Sequence, residues 1–345
     1  MSFKRFEAED FVVSADSITA TLWSGGVPTL ISPFTSSTQE ASSAGNYYLN
    51  VYQADPATDS NANIQFAIAY GNEFGSGSQA YNLAVDGNSP TRTIWGQFQN
   101  LVLGTSGSRF IYGDFSGSTD FWALTVDRAR YKEKLFLGTN TLILTGSGGE
   151  LRLTDNSQLV SAVQYNQAGR VYQLVSGSAG VVFTGTNANG YSVSGSYGLF
   201  LPDIGTILLN PEAIKSTGIT SNKTTGSAVT PTPTNNSILY AGMLTDGSAA
   251  APTGSFTLNS EETITSDYVF VRARNSEFNY SANPSYITGS TGQVLYDYWV
   301  SNPQTYMTTV GLYNDSNELL AVAKLSRPLN KDFTKEALVR VKLDF

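Results

Sequence analysis

The sequence predicts a mainly β protein, in which N-terminal and C-terminal strands build one β-sandwich and a strand-rich subdomain with one or two short helices is inserted. Three observations support this fold class. Apolar and polar residues alternate in many short runs, turn-forming residues separate these runs, and few stretches have helical periodicity. Alternation indicates strands because successive side chains of a strand point to opposite faces of its sheet.

The clearest alternation lies in residues 64–70, where Ile, Phe, Ile and Tyr are separated by Gln and Ala. Such a run places four large apolar side chains on one face of a strand. The same pattern recurs in residues 47–52, 269–274 and 338–345. Because the last run continues through Phe345, we expect the final strand to reach that residue.

Two hairpins are predicted from turn residues that lie between alternating runs. Residues 308–313 and 318–325 flank the sequence NDSN, and short Asn and Asp side chains bond the local backbone and tolerate positive φ. The second hairpin is predicted in residues 142–153, around the sequence GSGG.

One stretch has the pattern of an amphipathic helix near residues 90–103. Ser89 is a favourable N-cap, Pro90 suits the first helical position, and Gly104 provides a stop. The apolar stripe consists of Ile94, Phe98, Leu101 and Val102. A shorter helical turn is predicted at Pro211, after Asn210.

Four parts of the chain follow from this pattern. The segment 216–237 contains almost no bulky apolar residue, so burial cannot offset the entropy of ordering it. We predict an N-terminal β part of the sandwich in residues 1–89, an inserted β-rich subdomain in 90–215, a polar connector in 216–254 and a C-terminal β part in 255–345.

The composition excludes several classes of chemistry. The 345 residues contain no Cys and no His, which excludes disulfide scaffolds, thiol chemistry and nucleophiles that use a histidine base. The net charge of -8 argues against nucleic-acid binding, and no apolar run is long enough for membrane insertion. Carboxylate, Lys or Tyr chemistry and an all-oxygen metal site remain open to an enzyme, but the acidic residues at 114, 120, 127 and 133 are dispersed and nothing local marks one as an acid. We therefore predict that the chain is not an enzyme and that it uses no cofactor.

One short sequence resembles a metal site. Residues 59–63, DSNAN, carry oxygen ligands at alternate positions like the start of a calcium loop. The glycine expected next is Ile64, and no Glu lies six residues further on. A surface turn is the favoured interpretation, and we predict no metal site.

Basic residues are concentrated in two places in this acidic chain. The first group is Arg128, Arg130, Lys132 and Lys134, of which the first three are the candidate interface residues, and the second is Arg272 and Arg274. Alternate spacing places each group on one face of a strand. Two interpretations remain open: docking onto an acidic neighbour, or a solvated strand edge on which charge prevents aggregation.

Aromatic residues are dense near the C-terminal strands. The candidate interface residues are Phe278, Tyr280, Tyr296, Tyr298 and Trp299. Three interpretations are open for this group: packing within the core and across strands, anchoring of a protein interface, and stacking of sugars.

Several strings resemble a virion structural protein of T-even-like contractile-tailed bacteriophages, especially the cyanophage type. The densest is residues 308–345, TTVGLYNDSNELLAVAKLSRPLNKDFTKEALVRVKLDF, and RNSEFNYSANPSYITGSTGQV at 274–294 is similar. Shorter similar strings are DRARYKEKL at 127–135, LTDNS at 153–157 and LPDIGTILLNPEAI at 201–214. The family is generally placed in the tail baseplate as a wedge component.

The resemblance implies an assembly protein without catalytic residues. It implies a β-sandwich with inserted subdomains, a possible homodimer, and binding to neighbouring baseplate or tail proteins and fibre connectors. It also implies location in the virion after synthesis in the host cytoplasm. The alternatives are a neck, collar or fibre-attachment protein, a carbohydrate-binding adhesin, and a glycosidase that uses carboxylates.

Overall fold

The fold is mainly β, which confirms the predicted class: strands hold 46% of the residues and helices 15%. The computed structural model describes residues 4–31, 33–35, 47–77, 89–104, 109–113, 115–183, 197–223, 234–244 and 254–344. The chain forms two compact units. The terminal unit contains Met1–Ser17 and Thr263–Phe345, and the central unit contains Ile18–Glu262. The predicted boundaries after residues 89, 215 and 254 stay predictions.

The strands are β1 (Phe11–Thr21), β2 (Thr29–Ile31), β3 (Tyr48–Tyr52), β4 (Ile64–Asn72), β5 (Phe110–Tyr112), β6 (Phe115–Ser118), β7 (Asp120–Val126), β8 (Lys134–Leu135), β9 (Thr141–Gly146), β10 (Gly149–Asp155), β11 (Gln164–Asn166), β12 (Gly169–Ser178), β13 (Val181–Val182), β14 (Gly198–Leu201), β15 (Thr206–Leu209), β16 (Ser255–Thr257), β17 (Asn259–Ala273), β18 (Thr305–Tyr313), β19 (Leu319–Lys331) and β20 (Ala337–Asp344). The α-helices are α1 (Pro90–Val102), α2 (Pro211–Ile214), α3 (Asn235–Gly242) and α4 (Asp297–Ser301). Short 3₁₀ turns cover Ala8–Asp10, Arg128–Arg130, Pro202–Ile204 and Lys215–Thr217.

The central unit is built on one large antiparallel sheet. Its strand order is β2-β16-β9-β10-β12-β14-β15-β7-β4-β3, and β11 and β13 also pair with β12. Hydrophobic clusters pack against both faces of its middle strands. In β14, for example, Leu199 belongs to one cluster and Phe200 to the other. Because β14 and β15 are buried on both faces, apolar residues occupy consecutive positions in them and no alternation marks them in the sequence.

Helix α1 covers one of these faces and confirms the predicted helix. The Ser89 side chain accepts a hydrogen bond from the Arg92 backbone N–H, and Gly104 has φ +77° just after the helix end. The apolar stripe packs, as expected, against the cluster that contains Phe121 and Leu199. Its most deeply buried residue is Trp95, which the stripe did not include and whose ring stacks on Phe121 with a centroid separation of 5.4 Å. The helical turn predicted after Asn210 is α2.

Part of the predicted polar connector is folded into the central core. Thr234 caps helix α3, and Leu239 of this helix is fully buried. The Trp122 Nε1 donates to the Asn235 carbonyl at 2.9 Å and joins the helix to β7. Ile238, Leu239 and Tyr240 pack against the core, and the Asn235 side chain donates to the Gly77 and Asn222 carbonyls. These apolar residues follow the polar stretch 216–237, whose composition therefore did not predict the helix. Residues 224–233 and 245–253 of the predicted connector fall outside the described residues.

Both predicted hairpins are confirmed. Strands β18 and β19 pair across the NDSN turn, where Asn314 Oδ1 accepts from the Glu318 N–H at 2.8 Å and Asn317 has φ +60°. Strands β9 and β10 pair across the GSGG turn, where Gly149 has φ +114°, a conformation that favours glycine.

The terminal unit joins strands from both ends of the chain, as the sequence predicts. Its sheet has the order β1-β17-β20, and the β18–β19 hairpin packs on one face through a cluster centred on Val269, Leu312 and Val341. The last strand ends at Asp344, and the expectation for Phe345 falls outside the described residues. The unit is therefore a small two-layer β structure.

A bidentate ion pair joins the start of β12 to the 3₁₀ turn Pro202–Ile204. Asp203 accepts from the Arg170 backbone N–H at 2.7 Å and from the Arg170 Nε at 3.1 Å. Burial alone would raise the pKa of Asp203, but the hydrogen bonds and charge of Arg170 hold this pKa below its ordinary value. Gly169 has φ +92°, and the Cβ of any larger residue would lie 2.3 Å from a carboxylate oxygen of Asp203.

We expect Asp203→Asn to lower the free energy of unfolding by about 1–2 kcal/mol at neutral pH, after allowance for partial exposure. A carboxylate with a lowered folded-state pKa stabilises the fold above its unfolded-state pKa, and this contribution disappears as the pH falls through the folded-state value. Denaturant unfolding at pH 7 and near pH 3 should therefore show the difference shrinking in acid. A difference that is constant with pH would contradict this interpretation.

Candidate interaction surfaces

The predicted aromatic residues lie in one segment of the terminal unit, residues 274–304, which connects β17 to β18 and is called the aromatic segment below. Trp299 forms its centre and is only 7% exposed. Its Nε1 donates to the Gln304 carbonyl at 3.0 Å, and Tyr286 packs on its ring with centroids 4.7 Å apart. Trp299 therefore organises the segment and presents little surface.

The other predicted aromatic side chains are exposed. Tyr298 is 64% exposed and stacks on the half-exposed Tyr296, with ring centroids 5.5 Å apart. Tyr280 is also half exposed, and its hydroxyl donates to the Gly292 carbonyl at 2.8 Å. Two apolar side chains from the same segment, Leu295 and Val300, are exposed as well. Large aromatic surface is thus presented by side chains whose positions are fixed by neighbours.

A buried lysine anchors the aromatic segment. Lys331, at the end of β19, is 1% exposed. Its Nζ donates to the Asn275 carbonyl at 2.9 Å, to Asn279 Oδ1 at 2.7 Å and to the Asp332 carbonyl at 3.0 Å. These acceptors use all three N–H groups of the ammonium. The first turn of the segment is therefore tied to the hairpin.

Thr305 adds a second attachment next to this lysine. Its hydroxyl lies 3.0 Å from the Phe278 carbonyl and 2.8 Å from the Lys331 carbonyl. Phe278 has φ +56°, an uncommon conformation for a large side chain, so tertiary contacts hold the backbone there. Sequence reasoning missed Lys331 and Thr305, since nothing local distinguishes them from exposed residues of the same types.

Arg128, Arg130 and Lys132 of the first basic group are not on a strand, so that prediction was wrong for them, and only Lys134 lies on a strand, β8. Residues Arg128–Arg130 form a 3₁₀ turn because the Asp127 carboxylate accepts from the Ala129 N–H at 2.8 Å. The Arg128 guanidinium lies over the Tyr131 ring and donates to the Tyr131 and Lys132 carbonyls.

The remaining charges of this group also have partners within the central unit. Arg130 donates to the Ser24 hydroxyl, and the exposed Lys132 pairs with Glu262 at 2.9 Å. Most of this positive charge is used in local contacts of the fold, so little of it is directed toward a neighbour.

The second basic group keeps its charge at the surface. Arg272 lies on β17 opposite Leu338 of β20, and its side chain is exposed. Arg274 lies just beyond the strand, where it is exposed and 3.6 Å from Glu7. Of the two predicted basic groups, the one in the terminal unit is therefore the stronger interaction candidate.

A buried polar cluster in the central unit surrounds Asp120. Its carboxylate accepts from the Tyr70 hydroxyl at 2.8 Å and the Ser221 hydroxyl at 2.9 Å, and Lys223 Nζ lies 3.1 Å away. Burial, and then the charge of Asp120, raise the pKa of Tyr70 well above its ordinary value. These contacts tie residues 221–223 to β4 and β7.

The sequence that resembled a calcium loop forms a surface turn, as favoured above. Asp55 Oδ1 accepts from the Ala57 N–H at 2.9 Å, and Asp59 Oδ1 accepts from the Asn61 N–H at 2.8 Å. Within the part of the chain that the structure describes, no group of three acidic side chains is arranged to hold a metal ion. No described helix is long and apolar enough to cross a membrane.

Comparison with known proteins finds no matching protein family, no matching curated protein and no matching solved structure.

Proposed function

We propose that the chain is a structural subunit of a contractile phage tail baseplate, a wedge component that binds neighbouring baseplate proteins and fibre connectors. The observation that carries this proposal is the exposed aromatic surface of the terminal unit, formed by Tyr280, Tyr296 and Tyr298 on an anchored segment. Tyr side chains bury large area at little entropic cost, which makes them frequent energetic centres of protein interfaces. An anchored segment reduces that cost further.

The strings that resemble the phage family are the second support for the proposal, and several of their residues make structural contacts in this fold. In LPDIG, Asp203 pairs with Arg170, and Gly205 has φ +66° beside the Tyr131 ring. In NPEAI, the Asn210 side chain caps helix α2. In the string at 308–345, Lys331 anchors the aromatic segment. Residues within these strings therefore form contacts that stabilise this fold.

A carbohydrate-binding adhesin is the second candidate function. The stacked and exposed rings of Tyr296 and Tyr298 favour it, since sugar rings pack on aromatic faces in the way that other apolar groups do. An adhesin would bind host cells or glycans by itself, and the free protein would compete with infection. A wedge subunit would instead stay with isolated baseplates.

The proposal is tested by quantitative mass spectrometry of purified phage particles and of baseplates isolated from them. A wedge subunit should be present at a multiple of six copies and should remain with the baseplate fraction. A neck or collar protein would separate from that fraction. Absence from every particle fraction would overturn the assignment to the virion.

We expect the double variant Tyr296→Ser, Tyr298→Ser to fold normally and to enter baseplates poorly. Exposed side chains contribute little to folding, so the free energy of unfolding should change by no more than about 0.5 kcal/mol. Loss of two aromatic anchors should still reduce incorporation, measured by mass spectrometry of particles from cells that supply only the variant.

The matched control is Tyr165→Ser in the central unit, because Tyr165 is 72% exposed and lies outside the aromatic segment. If the tyrosine double variant and Tyr165→Ser entered baseplates equally well, that result would contradict an interface at the aromatic segment. Particles that assemble normally but fail to adsorb to host cells would favour the adhesin.

A further inference from the structure

The sheet of the terminal unit has two different faces, and the hairpin packs on only one. Val269 and Val271 of β17 and Val339 and Val341 of β20 belong to the cluster that packs against β18 and β19. Alternate residues of β17 and β20 point to the opposite face because side chains alternate along a strand. On β20, the alternate residues 338, 340, 342 and 344 are all exposed.

This opposite face, called the outer sheet face, combines cations with apolar side chains. It consists of Tyr268, Phe270, Arg272, Leu338, Arg340 and Lys342. In the register of the two strands, each cation lies across from an apolar or aromatic residue: Arg272 from Leu338, Arg340 from Phe270, and Lys342 from Tyr268. The face therefore carries three cations and one carboxylate, that of Asp344, in a chain with a net charge of -8.

The two guanidinium groups on this face are not neutralised by the protein. Arg272 and Arg340 occupy diagonal positions across the strand pair, at a distance where long side chains interact. Among the residues that the structure describes, neither guanidinium forms an ion pair with a carboxylate. Both exposed guanidinium groups are therefore available to carboxylates from outside the chain.

Lys342 differs from the two arginines because its charge is already matched. Its Nζ lies 2.9 Å from Asp344. The hydrogen bond to Asp344, with smaller contributions from the charges of Asp344 and Asp16, raises the pKa of Lys342. The unmatched charge of the outer sheet face is therefore concentrated at Arg272 and Arg340.

The position of the Arg340 side chain is fixed by an aromatic ring. The Arg340 Cζ lies 5.6 Å from the centroid of Tyr268, a distance typical of cation–π contacts. The half-buried Tyr268 ring, which Lys342 Nζ also approaches at 5.9 Å, thus lies beneath an exposed guanidinium. Planar guanidinium groups bind carboxylates through two parallel hydrogen bonds, and a positioned guanidinium loses less entropy when it does so.

We infer that the outer sheet face docks a carboxylate-bearing surface of another protein, with Arg272 and Arg340 binding the carboxylates and Leu338 and Phe270 packing against apolar groups between them. This inference rests on the proposed role as an assembly subunit and names the chemistry of one partner. Nucleic acid fits less well, because Asp344 and Asp16 lie beside Lys342 and would repel a continuous line of phosphates.

The test uses the full chain and a fluorescein-labelled oligoglutamate peptide as the carboxylate probe, with binding followed by fluorescence anisotropy. The double variant Arg272→Gln, Arg340→Gln should bind the peptide at least tenfold more weakly than the unmodified chain. Binding should also weaken as salt rises, because exposed charges are screened. A single-stranded DNA oligonucleotide of equal length should bind more weakly than the peptide.

The matched control is the double variant Lys324→Gln, Arg327→Gln, which removes the same charge from exposed positions on β19. It should retain peptide affinity within twofold. Equal losses in both double variants would overturn the inference in favour of bulk charge, and tighter DNA binding would overturn it in favour of nucleic acid.

Hydrogen exchange of the unmodified chain gives a readout that does not depend on a variant folding. The peptide should slow exchange of amides in residues 337–344, and unchanged exchange there would also overturn the inference. The proposed function fails separately, since it requires presence in phage particles. A chain that binds the peptide but is absent from particles would overturn only the baseplate role.

Discussion

Replacing Lys331 with Met should lower the free energy of unfolding by about 2–4 kcal/mol and should loosen the aromatic segment. The Met side chain keeps most of the apolar volume, but it leaves the Asn275 and Asp332 carbonyls and Asn279 Oδ1 without their shared donor. Hydrogen bonds from a charged donor contribute about 1.5–3 kcal/mol each, and the total is reduced here because the three acceptors are only partly buried and can bind water instead. Denaturant unfolding measures the first effect, and limited proteolysis within residues 274–304 measures the second.

Lys335→Met is the matched control for this prediction. Lys335 lies four residues further along and pairs with the Asp332 carboxylate at 2.7 Å at the surface. Its loss should leave the cleavage rate of the aromatic segment unchanged. If both variants were cleaved at the same rate, Lys331 would have no special anchoring role, and the preorganised aromatic surface would lose its structural basis.

Replacing Trp95 with Ala should lower the free energy of unfolding by about 3–5 kcal/mol, because a large buried ring is lost and leaves a cavity. Trp95 stacks on Phe121 and contacts Phe110 edge-on at a centroid distance of 4.9 Å. All three rings are fully buried between helix α1 and the central sheet. Thermal and denaturant unfolding of the full chain would measure the loss.

Conservative variants separate the packing of tryptophan from its hydrogen bonding. Within the described residues, the Trp95 Nε1 has no hydrogen-bond partner, whereas the equally buried Trp122 donates to Asn235. Trp122→Phe should therefore cost about 0.5–1.5 kcal/mol more than Trp95→Phe, since it loses a buried hydrogen bond to a helix carbonyl. Equal costs would show that the Trp122 hydrogen bond adds nothing to stability.

The elements that sequence reasoning predicted are those that local chemistry specifies. Helix α1 has its cap at Ser89 and its stop at Gly104, and the β18–β19 turn is determined by Asn314 and its neighbours. Alternation did not predict strands β14 and β15, because both of their faces are buried and apolar residues occupy consecutive positions. The polar composition of the connector did not predict helix α3, because the stability of this helix comes from Leu239 and from contacts with residues distant in sequence.

The candidate interaction residues were likewise predicted only where local sequence specifies their environment. The sequence located the exposed tyrosines, since aromatic density is a local property. It misplaced the 128–132 group because an Asp127 side chain ends the strand pattern there with a 3₁₀ turn. It could not identify Lys331 or the unmatched pair Arg272 and Arg340, because burial and ion pairing depend on which strands become neighbours.

The pairing of β1 with β17 sets a constraint on biosynthesis. Strand β1 leaves the ribosome early, yet its partner begins at Asn259, so at usual elongation rates roughly 10–50 s pass between them. During that interval Val12 and Val13 have no sheet to join, while the strands of the central unit are completed first. Until the C-terminal strands emerge, the backbone N–H and C=O groups along this side of β1 therefore have no strand partner in the nascent chain.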